Sequence, residues 1–289
     1  MDSSFFCIKS YNNKNKEYNP CLACIKKDFE EAKKNGCKPF PIRFNRNYNI
    51  KFLKKLMKLK NKITFLAQNK NQKKLLEKHF GNINCKVVGL KTSEIKYYNQ
   101  ENFIAYNNEV TEYDFVYHAS PHPAKGLNYV LELSRELTNY SFLIPSSIID
   151  CSRMIKNKIA KNDYPNITFK NMRWESGLKE HVMTSKIVLN PSLWSAPIEG
   201  ALIKSILFNG AVGTFGFPYS FTSEIPNGNI IKLDNKSIED SANILRNIIN
   251  DKKKLNKLKS NSKEWVKEFI ENNSNVFEKI KILISNDFN

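Results

Sequence analysis

A chain of 289 residues, 41% hydrophobic and 12% aromatic, can bury one large core or two ordinary ones, which excludes wholesale disorder. Its 46 Lys and Arg against 28 Asp and Glu leave a formal charge of +18, which points first to anionic partners: phosphate groups, nucleic acid or an acidic membrane surface. No apolar run reaches the roughly 18 residues of a membrane span, and the opening MDSSFFCIKSYNNKNK lacks a sustained apolar leader; the expectation is a cytoplasmic protein with its six cysteines in a reducing compartment.

In chain order, the pattern changes near residue 112. Residues 1–111 are irregular and basic, and carry Cys7, Cys21, Cys24 and Cys37 in a polar segment, 7–37. A short basic helix or turn is expected over 51–60 and a buried strand over 62–68. A helix over 71–80 turns Leu75, Leu76 and Phe80 inward, and a further strand over 86–90 completes a βαβ fragment. Residues 112–289 alternate more regularly. Strands are expected at 113–118, 141–144, 167–169, 186–189, 211–214 and 230–233, with helices at 126–137, 148–159, 175–184 and 199–208 and more helices to the C-terminus. Such alternation means a doubly wound parallel sheet, and the fold class is α/β.

In a doubly wound sheet, ligands sit beyond the carboxyl ends of the strands, where helix N-termini converge. Two sequence corners fall there. HASPHPAKG (118–126) brings Lys125 and Gly126 to a helix start, where backbone N–H groups and the dipole favour an anion. NPSLWSAPIEGALIKSILFNGAVGTFG (190–216) brings Glu199 to a second helix start after a strand end.

Residues 113–233 resemble the donor-binding domain of the GT-B retaining glycosyltransferases of the group-one type (family four). YDFVYHASPHPAKGLNYVLELSREL is similar to that family's strand, basic loop and "KG" helix start. NITFKNMRWESGLKEHVMTSKIVLNPSLW, EGALIKSILFNGAVGT and FGFPYSFTSEIPNGNIIKL follow in the family's order. Upstream, SFFCIKSY, PCLAC and FLAQNKNQKKLLEKHFG resemble the second half of its N-terminal domain, shortened here. The resemblance implies a GT-B-like architecture, with a partial acceptor-side α/β part over 1–111 and a Rossmann-like nucleotide-sugar-binding domain over 112–289.

It also implies an enzyme that transfers a sugar from a UDP- or GDP-sugar, without metal and with retention, to a glycan or lipid-linked acceptor in surface polysaccharide or glycoconjugate synthesis. Lys125 matches the family lysine on the donor diphosphate. The basic residue usual a few positions earlier falls at Ser120, with His118 or His122 as substitutes. The family's paired glutamates fall at Pro197 and Ser205, neither acidic, so Glu199 is the carboxylate that takes a catalytic role with Lys125; Glu224 is a weaker candidate. The expected donor contacts are then Ser120, His122, Lys125, Gly126, Arg173, Ser195, Glu199 and Ser205. Fixed cations and helix N-termini would stabilise the charge that grows on the departing diphosphate.

Other features leave alternatives open. The C-x13-C-x2-C-x12-C spacing of Cys7, Cys21, Cys24 and Cys37 suits a structural Zn or an Fe–S cluster, or is four free thiols. Cys85 and Cys151 read as small buried apolar residues. His79 sits near a helix C-terminus, where a cation is stabilised. Arg173, Trp174 and Trp194 lie on the ligand rim. The lysine run 251–259 reads as a solvated helix face, or as peripheral contact with the inner face of a membrane. A non-catalytic GT-B-like protein that binds a glycan or a partner is the alternative to an enzyme. Dispersed basic residues and the lack of a recognised motif argue against nucleic acid.

Overall fold

The computed structural model of the chain describes residues 4–9, 12, 18–26, 30–39, 45–91, 112–194 and 197–287. The expected boundary near 112 borders residues 92–111, which lie outside the described residues, as does Ser195.

In the N-terminal part, helices α1 (Glu30–Lys34) and α2 (Arg46–Leu59) precede a βαβ unit of β1 (Phe65–Ala67), α3 (Lys70–Phe80) and β2 (Cys85–Val87), with β1 and β2 parallel. Helix α2 begins earlier than the periodicity suggests because the Asn45 side chain accepts the Tyr48 N–H and caps it. Asn69 caps α3 in the same way through the Gln72 N–H. Phe5, Phe6, Leu53, Leu75 and Phe80 fill the core between these elements.

The cysteine-bearing segment folds onto that core, with Cys24 buried and Cys7 and Cys37 packed against it. Among the described residues, no group of three or more His, Cys, Asp or Glu side chains is arranged to hold a metal ion. The expected metal centre of Cys7, Cys21, Cys24 and Cys37 is not supported by that arrangement. Burial pushes the Cys7 thiol up to about 12 and the Cys24 thiol up to about 11.

The C-terminal part runs β3 (Phe115–Tyr117), α4 (Leu127–Glu136), β4 (Phe142–Ile144), α5 (Ile148–Ile155), β5 (Ile167–Phe169), α6 (Leu178–Thr184), β6 (Ile187–Leu189), α7 (Gly200–Phe208), β7 (Val212–Phe215) and β8 (Ile231–Leu233). Helices α8 (Ile238–Ile249), α9 (Lys252–Ser274) and α10 (Val276–Asp287) complete it. The six strands form one sheet in the order β5-β4-β3-β6-β7-β8, and every neighbouring pair is parallel. The short strands FVY, FLI and IVL are buried on both faces, as a sheet sandwiched between helix layers requires. Alternate residues serve the two layers. Phe115, Tyr117, Phe142 and Ile144 pack with α4 and α8, whereas Val116, Leu143 and Val188 pack with α6, α7 and α9. The helix expected over 175–184 begins instead as a 3-10 turn, Trp174–Ser176, and restarts after Gly177 at φ 106°.

The strand order reverses between β3 and β6, two neighbouring strands with connections leading away in opposite directions. That topological switch point opens a crevice at their carboxyl ends. It fixes where the two sequence corners must meet.

Candidate functional site

The loops after β3 and β6 are stitched together at the switch point. The His118 N–H donates to the Leu189 carbonyl at 3.0 Å, and the Asn190 side-chain amide donates to the His118 carbonyl at 2.7 Å. Leu193 N–H donates to the Ala124 carbonyl at 2.9 Å. The hydroxyl of fully buried Tyr117 donates to the carbonyls of Ser120 (2.8 Å) and Lys125 (3.1 Å), fixing the loop that leads into α4. Gly126 closes it at φ 79°, against Pro191.

This framework presents Lys125 to the crevice. Its Nζ lies 2.8 Å from Glu199 Oε2, with side-chain exposures of 17% and 10%, so the pair is largely withdrawn from water. The same ammonium sits 4.3 Å from the centre of the Trp194 ring. Ser192 Oγ donates to Glu199 Oε1, and Trp194 N–H donates to Ser192 Oγ at 3.1 Å. Glu199 is the N-cap residue of α7, but its side chain does not cap the helix. The start of α7, Gly200 and Ala201, lines the cavity, and the N-terminus of a helix favours an anion. A cavity of ≈ 350 Å³ opens here between Ser120 and Lys125 on one side and Trp194, Glu199, Gly200 and Ala201 on the other.

Of the expected residues, the structure thus brings together Ser120, Lys125, Gly126 and Glu199. Ser205 does not line the cavity. It is fully buried in α7, where its hydroxyl donates to the Ala201 carbonyl and lies 2.8 Å from His118 Nδ1. His118 is itself stacked on Trp174, with centroids 5.2 Å apart and planes 18° apart. Ser205 therefore supports the floor of the site through His118. His122 is not a replacement cation: its Nδ1 accepts the Ala124 N–H at 3.1 Å, and burial together with Lys125 and Lys9 lowers its pKa. Arg173 lines a second cavity of ≈ 360 Å³ beyond β4 and β5, with Pro145, Asn171, Met172 and Ser176. Ser195 lies outside the described residues.

Two contributions from outside the corner escape sequence reasoning. Gln68, after β1 in the N-terminal part, accepts the Ile198 N–H at 3.0 Å, one residue before Glu199. Glu224, in the 3-10 turn Phe221–Glu224, accepts the N–H groups of Lys70 (3.3 Å) and Asn71 at the start of α3. Asn71 Nδ2 in turn donates to Ser220 O (2.8 Å) and Ser223 Oγ (2.7 Å). Nothing in the sequence tells that the partner of the Gln68 side chain is 130 residues away.

The six-stranded order and the crevice at its switch point are those of a doubly wound α/β fold. Comparison with protein-family models finds no match, and comparison with curated proteins finds none. Among solved structures, the chain is similar to sucrose-phosphate synthase from Thermosynechococcus elongatus (TM-score 0.62, 13% identity, 88% of this chain and 65% of that one). It is also similar to Anabaena HepE in complex with UDP (TM-score 0.60, 14% identity, 83% and 69%). A third is a TarM variant from S. aureus, solved with Fondaparinux, alpha-GlcNAc-glycerol and UDP (TM-score 0.53, 17% identity, 81% and 48%). The chain spans about half to two thirds of the length of these proteins.

Proposed function

We propose that the chain is a glycosyltransferase that takes a sugar from a UDP- or GDP-sugar and passes it, with retention, to a glycan or lipid-linked acceptor hydroxyl. The product would be a surface polysaccharide or glycoconjugate. Residues 112–289 are the donor-binding domain in this reading, and residues 1–111 the acceptor side. The single observation that carries it is the convergence of Lys125, Glu199 and the N-terminus of α7 on one cavity at the switch point. Solved proteins of similar fold include one in complex with UDP-glucose, which supports a nucleotide-sugar donor.

The chemistry follows from that arrangement. The bond between the sugar C1 and the diphosphate oxygen breaks, and the acceptor oxygen bonds to C1 while its proton passes to the departing phosphate. Negative charge grows on the leaving diphosphate, where Lys125 and the first-turn N–H groups of α7 stabilise it without rearranging. Glu199, anchored by Ser192, keeps Lys125 oriented and accepts a donor-sugar hydroxyl.

Thermal unfolding with UDP, GDP and their sugars tests the proposal. A ligand at about 100 times its Kd should add roughly 2.7 kcal/mol of stability. Lys125→Ala would strand the carboxylate of Glu199 in a largely buried site, which is destabilising in itself, so the informative variant is Lys125→Met combined with Glu199→Gln. It should fold, lose the nucleotide shift and lose sugar transfer. No shift with any nucleotide in folded wild type would favour a non-catalytic, partner-binding protein, the reading to which the absence of acids at positions 197 and 205 already lends weight.

A further inference from the structure

Helix α3 carries Lys70, Lys74 and Lys78 at four-residue intervals, so three exposed lysines follow one side of the helix. That side meets the loop after β7. Lys70, Asn71 and Lys74 form one wall of a cavity of ≈ 550 Å³, and Tyr219, Ser223 and Glu224 stand opposite. Lys78 reaches across to Tyr219, with Nζ 4.9 Å from the ring centre and 3.2 Å from the hydroxyl.

The cavity offers cations, an acceptor and a donor together. Neighbouring Lys73 pairs with Glu77 at 3.7 Å, whereas the Lys70 and Lys74 ammonium groups meet no carboxylate among the described residues. Glu224 is occupied by the N–H groups of Lys70 and Asn71. Asn71 is only 7% exposed; its Nδ2 donates to Ser220 O and Ser223 Oγ, but its Oδ1 accepts nothing from the described residues. A polar atom of a buried residue calls for a partner. The Tyr219 hydroxyl accepts from Lys78 and keeps its own proton to donate. Tyr219 also sits at φ 64°, strained for a bulky residue, and such outliers gather at ligand clamps.

This set suits a ligand that carries acidic groups and hydroxyls at once, as a saccharide or polyol chain bearing carboxylate or phosphate does. A polyanion without hydroxyls would leave Asn71 Oδ1 without a donor. Single-stranded nucleic acid uses a bare aromatic face, and Lys78 covers that of Tyr219. The location fits as well. The 3-10 turn Phe221–Glu224 has the cavity on one side, while Ser220, Phe221 and Thr222 line a narrow space with Trp194 and Glu199 on the other.

We propose that the cleft between α3 and the loop after β7 binds an acidic saccharide, held by Lys70, Asn71, Lys74 and Tyr219. On the donor-site reading that saccharide is the acceptor, but its binding does not depend on that reading.

Titration of the full chain with three labelled oligomers of similar length tests it: oligogalacturonate for carboxylate, oligo(glycerol phosphate) for phosphate and a neutral malto-oligosaccharide. At least one acidic chain should bind about tenfold or more tighter than the neutral one, and less tightly as salt rises. Which of the two it is identifies the acidic group. Lys70→Gln with Lys74→Gln should lower that affinity about tenfold, and Tyr219→Phe about fivefold. Lys252→Gln with Lys253→Gln should leave it unchanged. Melting temperatures report folding, and the UDP shift, which these variants should keep, reports the donor site separately. Wild type that binds the acidic chain yet shows no UDP shift would uphold the cleft while the glycosyltransferase reading fails. Folded wild type that binds none of the three, or the neutral chain as tightly as the acidic ones, would overturn the proposal. So would acidic binding that the Lys70 and Lys74 variant leaves unaltered. Polyglutamate of the same length, bound as tightly and with the same lysine dependence, would make the cleft a general anion surface and overturn it as well.

Discussion

At Gly126 two constraints coincide. The residue sits at φ 79°, and a Cβ built there would lie 2.1 Å from the Pro191 carbonyl oxygen, a backbone atom of the neighbouring loop. The left-handed conformation alone costs a side chain roughly 1–2 kcal/mol. The collision forces apart the two loops that carry Lys125 and Glu199. Gly126→Ala should therefore destabilise the protein by at least about 2 kcal/mol, and in the fraction that folds the nucleotide-induced shift should shrink. Chemical denaturation with and without UDP measures both. An alanine variant of wild-type stability and wild-type UDP response would show that the two loops do not need this approach.

Helix α3 shows what a linear reading can and cannot reach. Its existence, inward residues and βα setting are legible from periodicity, as is the α/β alternation of residues 112–289, because both depend on neighbours in sequence. The role of His79 is not. Near a helix C-terminus it looks like a surface cation, but it is buried among Phe5, Phe6 and Phe80, and its Nδ1 accepts the Lys26 N–H at 3.2 Å. Burial lowers its pKa to about 4. Lys125 and Glu199 are both expected on the ligand rim, but their direct ion pair depends on the strand order that places β3 beside β6, and no local signal encodes that order. Ser205 was correctly placed in α7 by its pattern, yet only the packed structure puts it beneath His118. The His79 shift has a sign. The unfolded state, with an ordinary pKa of 6.5, binds the proton more readily than the folded state. The stability associated with neutral His79 is fully present above pH 6.5 and is lost as pH falls towards about 4, by an amount on the order of 3 kcal/mol. His79→Asn, which keeps an acceptor for Lys26 but does not titrate, should flatten the fall in melting temperature between pH 7 and pH 4.5 relative to wild type. Parallel melting curves across that range would remove His79 as the cause.

Across the whole molecule, the two sheets are joined at the base of the candidate site by a small polar lock. The Glu224 carboxylate takes up N–H groups in the first turn of α3, where the positive end of the helix dipole favours an anion. Gln68 N–H donates to Gln72 Oε1 at 2.6 Å in that same turn, while the Gln68 side chain holds Ile198 next to Glu199. The N-terminal part thereby positions the loop that orients Lys125, although none of its described residues lines the cavity around it. Removing the Glu224 carboxylate should cost about 1 kcal/mol, the scale of a helix cap, and should speed amide exchange at Lys70 and Asn71. Removing the Gln68 amide should weaken nucleotide binding with a smaller effect on stability, because it frees the Ile198 loop without exposing core. Since both residues act on one turn of α3, the double variant Glu224→Ala, Gln68→Ala should depart from additivity by at least about 0.5 kcal/mol. Additive losses with unchanged exchange at Lys70 and Asn71 would mean that the two sheets meet without this lock in solution. Coupled losses with a weakened UDP shift would make the orientation of the N-terminal part a determinant of donor binding.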